Sequence, residues 1–364
     1  MNIINKNNLS LIILITVFIS CNSENEKKGI LVKFDNSNTI INYTDYMDSI
    51  YYIKLDNKYP LANISKAKYS NGNFYILDKA ASAIVVFNKS GEYINKLEKF
   101  GRGPDEYSGI TDFDINPSTN NISILDGNRK KIMEYNQKGK LINDFLIKDF
   151  VRSLISLSNG DYLFYTPDLN VGNYRRGLWK VNNKGEFTQQ LLNIDKDFKF
   201  VFLRPFYFCE INDSLIGIAG EDTDNIYHIS NNKVYSKYKF NVNPPMSDSY
   251  KNKSPTEINL KKINNPLYTK IAYFETENYV LTGFTNFKKN KIIIYSKKDQ
   301  KIIEGSSVIN NIDKVEGIPT ECIFENSIVS FVDPISFIEK NAELARKLNI
   351  KSSDNYLLQI QKLK

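Results

Sequence analysis

The feature that most constrains this chain is an internal repeat. Phe74-Tyr75-Ile76-Leu77-Asp78, followed by Ile84-Val85-Val86-Phe87-Asn88-Lys89-Ser90-Gly91, returns 48 residues later as Ile122-Ser123-Ile124-Leu125-Asp126 and Ile132-Met133-Glu134-Tyr135-Asn136-Gln137-Lys138-Gly139. A third copy begins at Leu178, 46 residues on, a fourth at Ile226 after another 48, and a fifth at Ile292. Self-similarity at this period marks an array of supersecondary units that stack on one another. Each unit holds four short β runs. In the copy from Ile64 they cover 64–70, 73–77, 83–88 and 93–100, with turns at Asn71-Gly72 and Lys89-Ser90-Gly91, where Asn and Gly tolerate positive φ. One four-stranded sheet cannot bury both faces alone, whereas radial stacking covers both, and closing the ring leaves few edges exposed. An aromatic share of 13%, carried by 23 Tyr and 22 Phe, agrees with β-structure. Disordered, collagenous and multi-span membrane chains are excluded by the same composition.

The units fall at 64–105, 106–149, 150–200, 201–243, 269–313 and 314–364. In the last, 327–333 aligns with the Ile-Leu-Asp strand and 356–361 reads as the next strand, so its fourth strand is missing from the C-terminus. The alternating stretch 48–55 can supply it. The expectation is an all-β, six-bladed β-propeller over 46–364, with four-stranded blades and a ring closed by an N-terminal strand. One helix is inserted in the last blade. Across 334–348, Asp333 reads as N-cap and Pro334 as the first helical residue, with Phe337, Ile338, Ala342, Leu344, Ala345 and Leu348 at helical spacing. That amphipathic helix docks on the propeller or is offered to a partner.

The run of residues 73–78, Val86-Phe87-Asn88, Gly91, Gly101-Arg102-Gly103-Pro104-Asp105-Glu106-Tyr107 and Phe113-Asp114-Ile115 resembles the NHL-type repeat. Units 3 to 6 lack the Gly-Arg-Gly-Pro segment. Together with the apolar leader 9–19 and the lipobox-like Ser20-Cys21 that ends it, the chain is similar to the six-bladed β-propeller lipoproteins of the Bacteroidetes. The resemblance implies a fold for nearly the whole mature chain. It implies little about activity, since NHL propellers elsewhere bind protein, peptide or RNA or act as lyases, and fold does not fix function.

Lys6 precedes the apolar run 9–19, which ends in Ser20-Cys21. Eleven helical residues rise about 16 Å, too short for a bilayer core of roughly 30 Å, so the run reads as an export signal. Ser20-Cys21 followed by Asn22-Ser23-Glu24-Asn25 resembles the bacterial lipobox, with Phe18 where Leu is common. It implies a signal peptide over 1–20, acylation of Cys21 and a tether and N-terminal segment over 21–45. Asn22 is not the Asp that marks inner-membrane retention, so the implied location is the outer membrane, facing the periplasm or the cell surface. The other reading is an ordinary secretion signal with a chance Cys. Cys209 and Cys322 lie in apolar strands of different units and read as buried free thiols rather than a disulfide.

If each blade runs from axis to rim, its second-to-third strand loop and its exit to the next blade emerge on one face. That face collects 101–107, 166–176, 243–264 and 334–353, the irregular segments of the chain. In 101–107 two glycines and Pro104 fix a tight turn, while Arg102, Asp105, Glu106 and Tyr107 supply donors, acceptors and an aromatic face for a carbohydrate, peptide or carboxylate. Alternatively, Arg102 pairs with a carboxylate of the neighbouring blade and Tyr107 packs between blades. Tyr174, Arg175 and Arg176 on the same face suit an anion, or are simply solvated. Asp78, Asp126 and Asp333 end second strands and read as acceptors for loop amides, with a calcium ring as the alternative.

The 48 basic and 41 acidic residues are interspersed, without a basic stripe, which argues against a nucleic-acid partner. The single histidine, His228, falls in a third strand and leaves a triad or multi-His metal site little to draw on. No catalytic residue, metal ligand or cofactor is therefore assigned. The leading reading is a non-catalytic, outer-membrane-anchored propeller that binds protein, peptide or glycan through its loop-rich face. The alternative is a carboxylate- or metal-dependent hydrolase or lyase in the central mouth, drawing on Asp105, Glu106, Asp168, Glu221 and Asp222.

Overall fold

Each repeat becomes an antiparallel meander of four strands, because alternating side chains of each strand must be buried against both neighbouring blades. The computed structural model describes residues 28–33, 39–167, 175–193, 207–212, 214–220, 225–230, 233–251, 253, 257–259 and 267–364. Three strands precede the repeats: β1 (Lys28–Lys33), β2 (Ile40–Asn42) and β3 (Met47–Lys54). Blade 1 is β4 (Ile64–Ser70), β5 (Asn73–Asp78), β6 (Ala83–Asn88) and β7 (Tyr93–Leu97). Blade 2 is β8 (Asp112–Ile115), β9 (Ile122–Asp126), β10 (Lys131–Tyr135) and β11 (Leu141–Leu146). Blade 3 is β12 (Ser153–Ser156), β13 (Tyr162–Thr166), β14 (Gly177–Val181) and β15 (Phe187–Leu192). Blade 4 is β16 (Phe208–Asn212), β17 (Leu215–Ile218), β18 (Asn225–Ser230) and β19 (Lys233–Asn243), followed by the short helix α1 (Asp248–Lys251). Blade 5 is β20 (Thr269–Glu275), β21 (Tyr279–Thr285), β22 (Asn290–Ser296) and β23 (Ile302–Gly305), with β24 (Ser307–Ile309) after it. Blade 6 is β25 (Ile318–Phe324), β26 (Ser327–Val332) and β27 (Leu357–Leu363), completed by β3.

The first strands β4, β8, β12, β16, β20 and β25 touch one another and so line the axis. The six blades therefore match the expected architecture. The closing strand pairs antiparallel with β27, Ile53 opposite Leu358 and Tyr51 opposite Ile360. An apolar cluster fills every junction. Tyr75 and Leu77 meet Phe113, Ile124 and Tyr135 between blades 1 and 2, and Ile132 meets Leu154, Phe164 and Trp179 between blades 2 and 3. Leu163 meets Phe208 and Ile218 at the next junction, Phe240 meets Phe284 between blades 4 and 5, and Ile294 meets Ile328 and Leu363 between blades 5 and 6. Phe324 and Leu358 against Phe74 and Ile76 close the circle. Cys209 and Cys322 are both buried, and neither forms a disulfide.

Two features differ from the sequence expectation. The stretch 21–45 was expected as a tether and N-terminal segment, yet its described part carries strands. β1 adds in parallel to β19 as a fifth strand of blade 4, with Ile30 opposite Phe240 and Val32 opposite Val242, and both are buried. β2 runs parallel to β24. The inserted helix is two helices, α2 (Pro334–Lys340) and α3 (Ala342–Lys347), because Asn341 leaves helical geometry and its Oδ1 accepts from the Leu344 amide to start the second. Phe337 is fully buried and meets Tyr52 edge-on at 4.7 Å, so the pair docks on blade 6. Among the described residues no helix is long and apolar enough to cross a membrane.

Candidate functional site

The turn 101–107 leaves the last strand of blade 1 and enters blade 2. It is held from three directions. Arg129, at the β9–β10 turn, donates from its guanidinium to the carbonyl oxygens of Gly101 (3.0 Å) and Glu106 (2.5 Å). The Glu106 carboxylate accepts from the Gly103 amide at 2.8 Å. Tyr107 is fully buried, its hydroxyl donating to Ser82 O at 2.6 Å and accepting from Lys99 N at 3.0 Å. Burial pushes the Tyr107 hydroxyl pKa up to about 12, so it stays protonated. Tyr107 is thus the inter-blade strut of the alternative reading, not an aromatic surface. Arg102 does not pair with a carboxylate of the neighbouring blade. Arg102 and Asp105 are exposed, and their side chains make no hydrogen bond or ion pair among the described residues. Both face solvent, with the partly buried Glu106 held on the turn by its bond to the Gly103 amide.

Arg175 lies on the same face, in the β13–β14 connection, and is already engaged. Its guanidinium stacks 3.6 Å from the centre of the Phe187 ring, its Nε lies 3.6 Å from Asp149 Oδ2, and its amide donates to Asp149 Oδ1. The Arg176 carbonyl accepts from Gln190 Nε2 at 2.8 Å. Tyr174, Asp168, Glu221 and Asp222 lie outside the described residues, as does Cys21. Asp78 takes the amides of Ala62, Asn63 and Ala80, Asp126 those of Ser108 and Arg129, and Asp333 that of Ser336. All three organise loops.

The axis holds a charge network that the sequence reading missed. Lys66 of β4 donates to Asp112 of β8 at 2.6 Å, and Asp112 also accepts from Ser153 Oγ and the Leu154 amide of blade 3. Two residues further along each strand, Lys68 pairs with both Asp114 of blade 2 and Glu210 of blade 4. Asp114 additionally takes the Ser156 amide. Burial, with the charge of Glu210 added, pushes Asp114 up to about 6 against the pull of Lys68. Lys68 is held above its ordinary value, because the two carboxylates outweigh a burial that works the other way. The signal was present: Lys66 and Lys68, like Asp112 and Asp114, are spaced by two on innermost strands, so each pair shares one face of its sheet. A second buried cluster joins blades 4 and 5. His228 Nε2 lies 2.9 Å from Glu275, which also meets Lys297 at 2.6 Å and the hydroxyls of Tyr273 and Tyr238. Burial disfavours the Glu275 charge, but hydrogen bonds from His228 and Lys297 hold its pKa below the usual range.

A closed ring of six four-stranded blades with an ion-paired axis defines a six-bladed β-propeller. The chain belongs to the family described as Domain of unknown function (DUF4934), which matches residues 29–362. No curated protein matches it. A crystal structure from Bacteroides fragilis, named as a candidate exported protein, is similar with a TM-score of 0.75 at 18% identity, over 93% of this chain and 100% of that one. A member of the DUF4221 family from Bacteroides vulgatus has a TM-score of 0.54 at 12% identity, over 87% and 97% of the two chains. At such identities both likenesses speak to fold alone.

Proposed function

We propose that this protein is an exported, lipid-anchored propeller of NHL-like type that acts as a non-catalytic binding module, presenting its loop-rich face to a protein, peptide or glycan. The observation that carries the reading is the pairing of Arg102 and Asp105: two exposed, unengaged charges on a turn locked by Arg129 and Tyr107. A fixed turn presents hydrogen-bonding groups without the entropy cost of ordering a loose loop. The axial carboxylates Asp112, Asp114 and Glu210, by contrast, are already held by Lys66 and Lys68. Export and anchoring both rest on the leader through Cys21, and export is also what the name of the Bacteroides fragilis protein of like fold says of that protein. The outer membrane is the proposed location.

The test uses the mature chain carrying Cys21→Ala, screened on glycan and peptide arrays. Ligands it retains should bind at least tenfold more weakly to Arg102→Ala and Asp105→Ala, with unchanged unfolding midpoints. If every ligand it retains binds both variants as tightly as the parent, this reading ends, and turnover of any arrayed glycan would move the function to the mouth. Cys21→Ala should also release the protein from the membrane fraction and abolish acyl labelling.

A further inference from the structure

Internal repetition gives this fold its own control. The fourth residue of the third strand faces the next blade in the first two units; it is Val86 in blade 1 and, 48 residues on, Glu134 in blade 2. Val86 is buried, lies opposite Tyr75 of β5 and belongs to the cluster that includes Tyr135. In blade 2 the same cross-strand pair is Ser123 and Glu134. A hydroxymethyl group replaces a phenol ring and a carboxylate replaces an isopropyl group, although the surrounding ladder is the same. Local departures of this kind from a repeat's own solution concentrate at functional positions.

At this junction lies a cleft of about 510 Å³ between blades 2 and 3, within the size range of small-ligand sites. It lies among the turns that join first to second and third to fourth strands, opposite the loop-rich face. Apart from Gly160, every residue around it carries a polar side chain. Half-buried Glu134 accepts from Asn121 Nδ2 at 2.9 Å and from the Tyr162 hydroxyl at 3.3 Å, and no cation pairs with it among the described residues. Burial and the Glu134 charge keep Tyr162 protonated as a donor. Asn143 donates to Asn183 O at 2.9 Å, which fixes one wall. At the rim the side chains of Asn183 and Lys184 make no hydrogen bond among the described residues.

A carboxylate accepts two hydroxyl protons side by side, and amide and ammonium groups donate to the oxygens of those hydroxyls. We propose that this cleft binds a neutral saccharide unit, with Glu134 accepting from adjacent hydroxyls and Asn183 and Lys184 donating to them. The mature chain carrying Cys21→Ala is tested by saturation-transfer NMR and titration with glucose, galactose, mannose, N-acetylglucosamine and their β-linked dimers. At least one gives saturable transfer. Glu134→Gln, which keeps the shape and the hydrogen-bond acceptor, weakens it at least tenfold with an unchanged unfolding midpoint, and Glu134→Val, blade 1's own residue, abolishes it at temperatures where that variant is fully folded. Lys239→Ala, exposed on β19 of blade 4 and away from both sites, leaves it intact. Transfer from none of these sugars, transfer that survives both Glu134 variants, or transfer lost with Lys239→Ala each overturns the assignment.

Discussion

The Tyr107 hydroxyl sits between the Ser82 carbonyl and the Lys99 amide, inside a ring of buried apolar groups. Tyr107→Phe leaves both backbone groups without a partner, so it should cost about 1–3 kcal/mol of stability. Arg102→Ala, five residues away in the same turn, should stay within about 0.5 kcal/mol because its side chain is exposed and unengaged. Urea titrations of the two variants check this, and equal losses would contradict the division of roles. The residue types of this turn were legible in the sequence; the direction each side chain faces was not, because Gly-Arg-Gly-Pro has no periodicity. Arg129 was illegible too, since one arginine in a strand turn carries no signature of the three carbonyls it meets. Asp114 adds a pH dependence. Its pKa rises from 3.8 to about 6 on folding, so between those values the folded chain keeps a proton that the unfolded chain has lost. The contribution of Asp114 to stability is thus full below pH 4 and is lost as pH rises toward and past 6. Asp114→Asn should remove a slope worth on the order of 2–3 kcal/mol across that window relative to wild type. Parallel stability curves for the two proteins would contradict the origin assigned to the shift.

Strands and turns were the most legible elements, because the repeat shows each one several times over. The third-to-fourth strand turns of blades 1 and 2 both carry a glycine at positive φ, +87° at Gly91 and +73° at Gly139. Their surroundings differ. A Cβ on Gly91 would overlap the Lys54 carbonyl and come within 2.9 Å of Ile53 Cγ2, both on the ring-closing strand, whereas at Gly139 the nearest atom, Leu97 Cδ1, is 3.6 Å away. Gly139→Ala should therefore cost only the backbone strain, about 1 kcal/mol. Gly91→Ala must also displace β3 and should cost about 3 kcal/mol or more, with thermal melts of the pair as the measurement. Elements that occur once were harder to read. β1 has no counterpart in other units to identify it, and its pairing with β19 spans about two hundred residues of chain. The break between α2 and α3 escaped the helical pattern because Asn341 interrupts the backbone without disturbing the spacing of Phe337, Ile338, Leu344 and Ala345.

At the scale of the whole molecule, closure decides stability, since six apolar junctions form a circle only if blade 6 is complete. The N-terminal chain contributes to this in two separable ways. β1 covers the outer edge of blade 4 and buries Ile30 and Val32, worth on the order of 3–5 kcal/mol together. β3 pairs along the length of β27, and its loss would bare a seven-residue edge ready to pair with another chain. A truncation starting at Tyr43 should thus melt cooperatively at a lower temperature, while one starting at Leu55 should aggregate. A circular permutant separates the strand from its place in the sequence. The Lys364 amide donates to Tyr46 O at 3.1 Å, so the end of β27 lies beside the start of β3 in hairpin geometry. A chain that begins at Leu55 and carries residues 43–54 behind Lys364 through a short Gly-Ser link recovers every contact of the Tyr43 truncation. The two should unfold within about 1 kcal/mol of each other, because antiparallel neighbours are joined by tight turns at little entropic cost. If closure is a matter of edge pairing alone, the permutant remains monomeric by light scattering. A permutant that aggregates like the Leu55 truncation would instead mean that β3 must precede the blades for the ring to close.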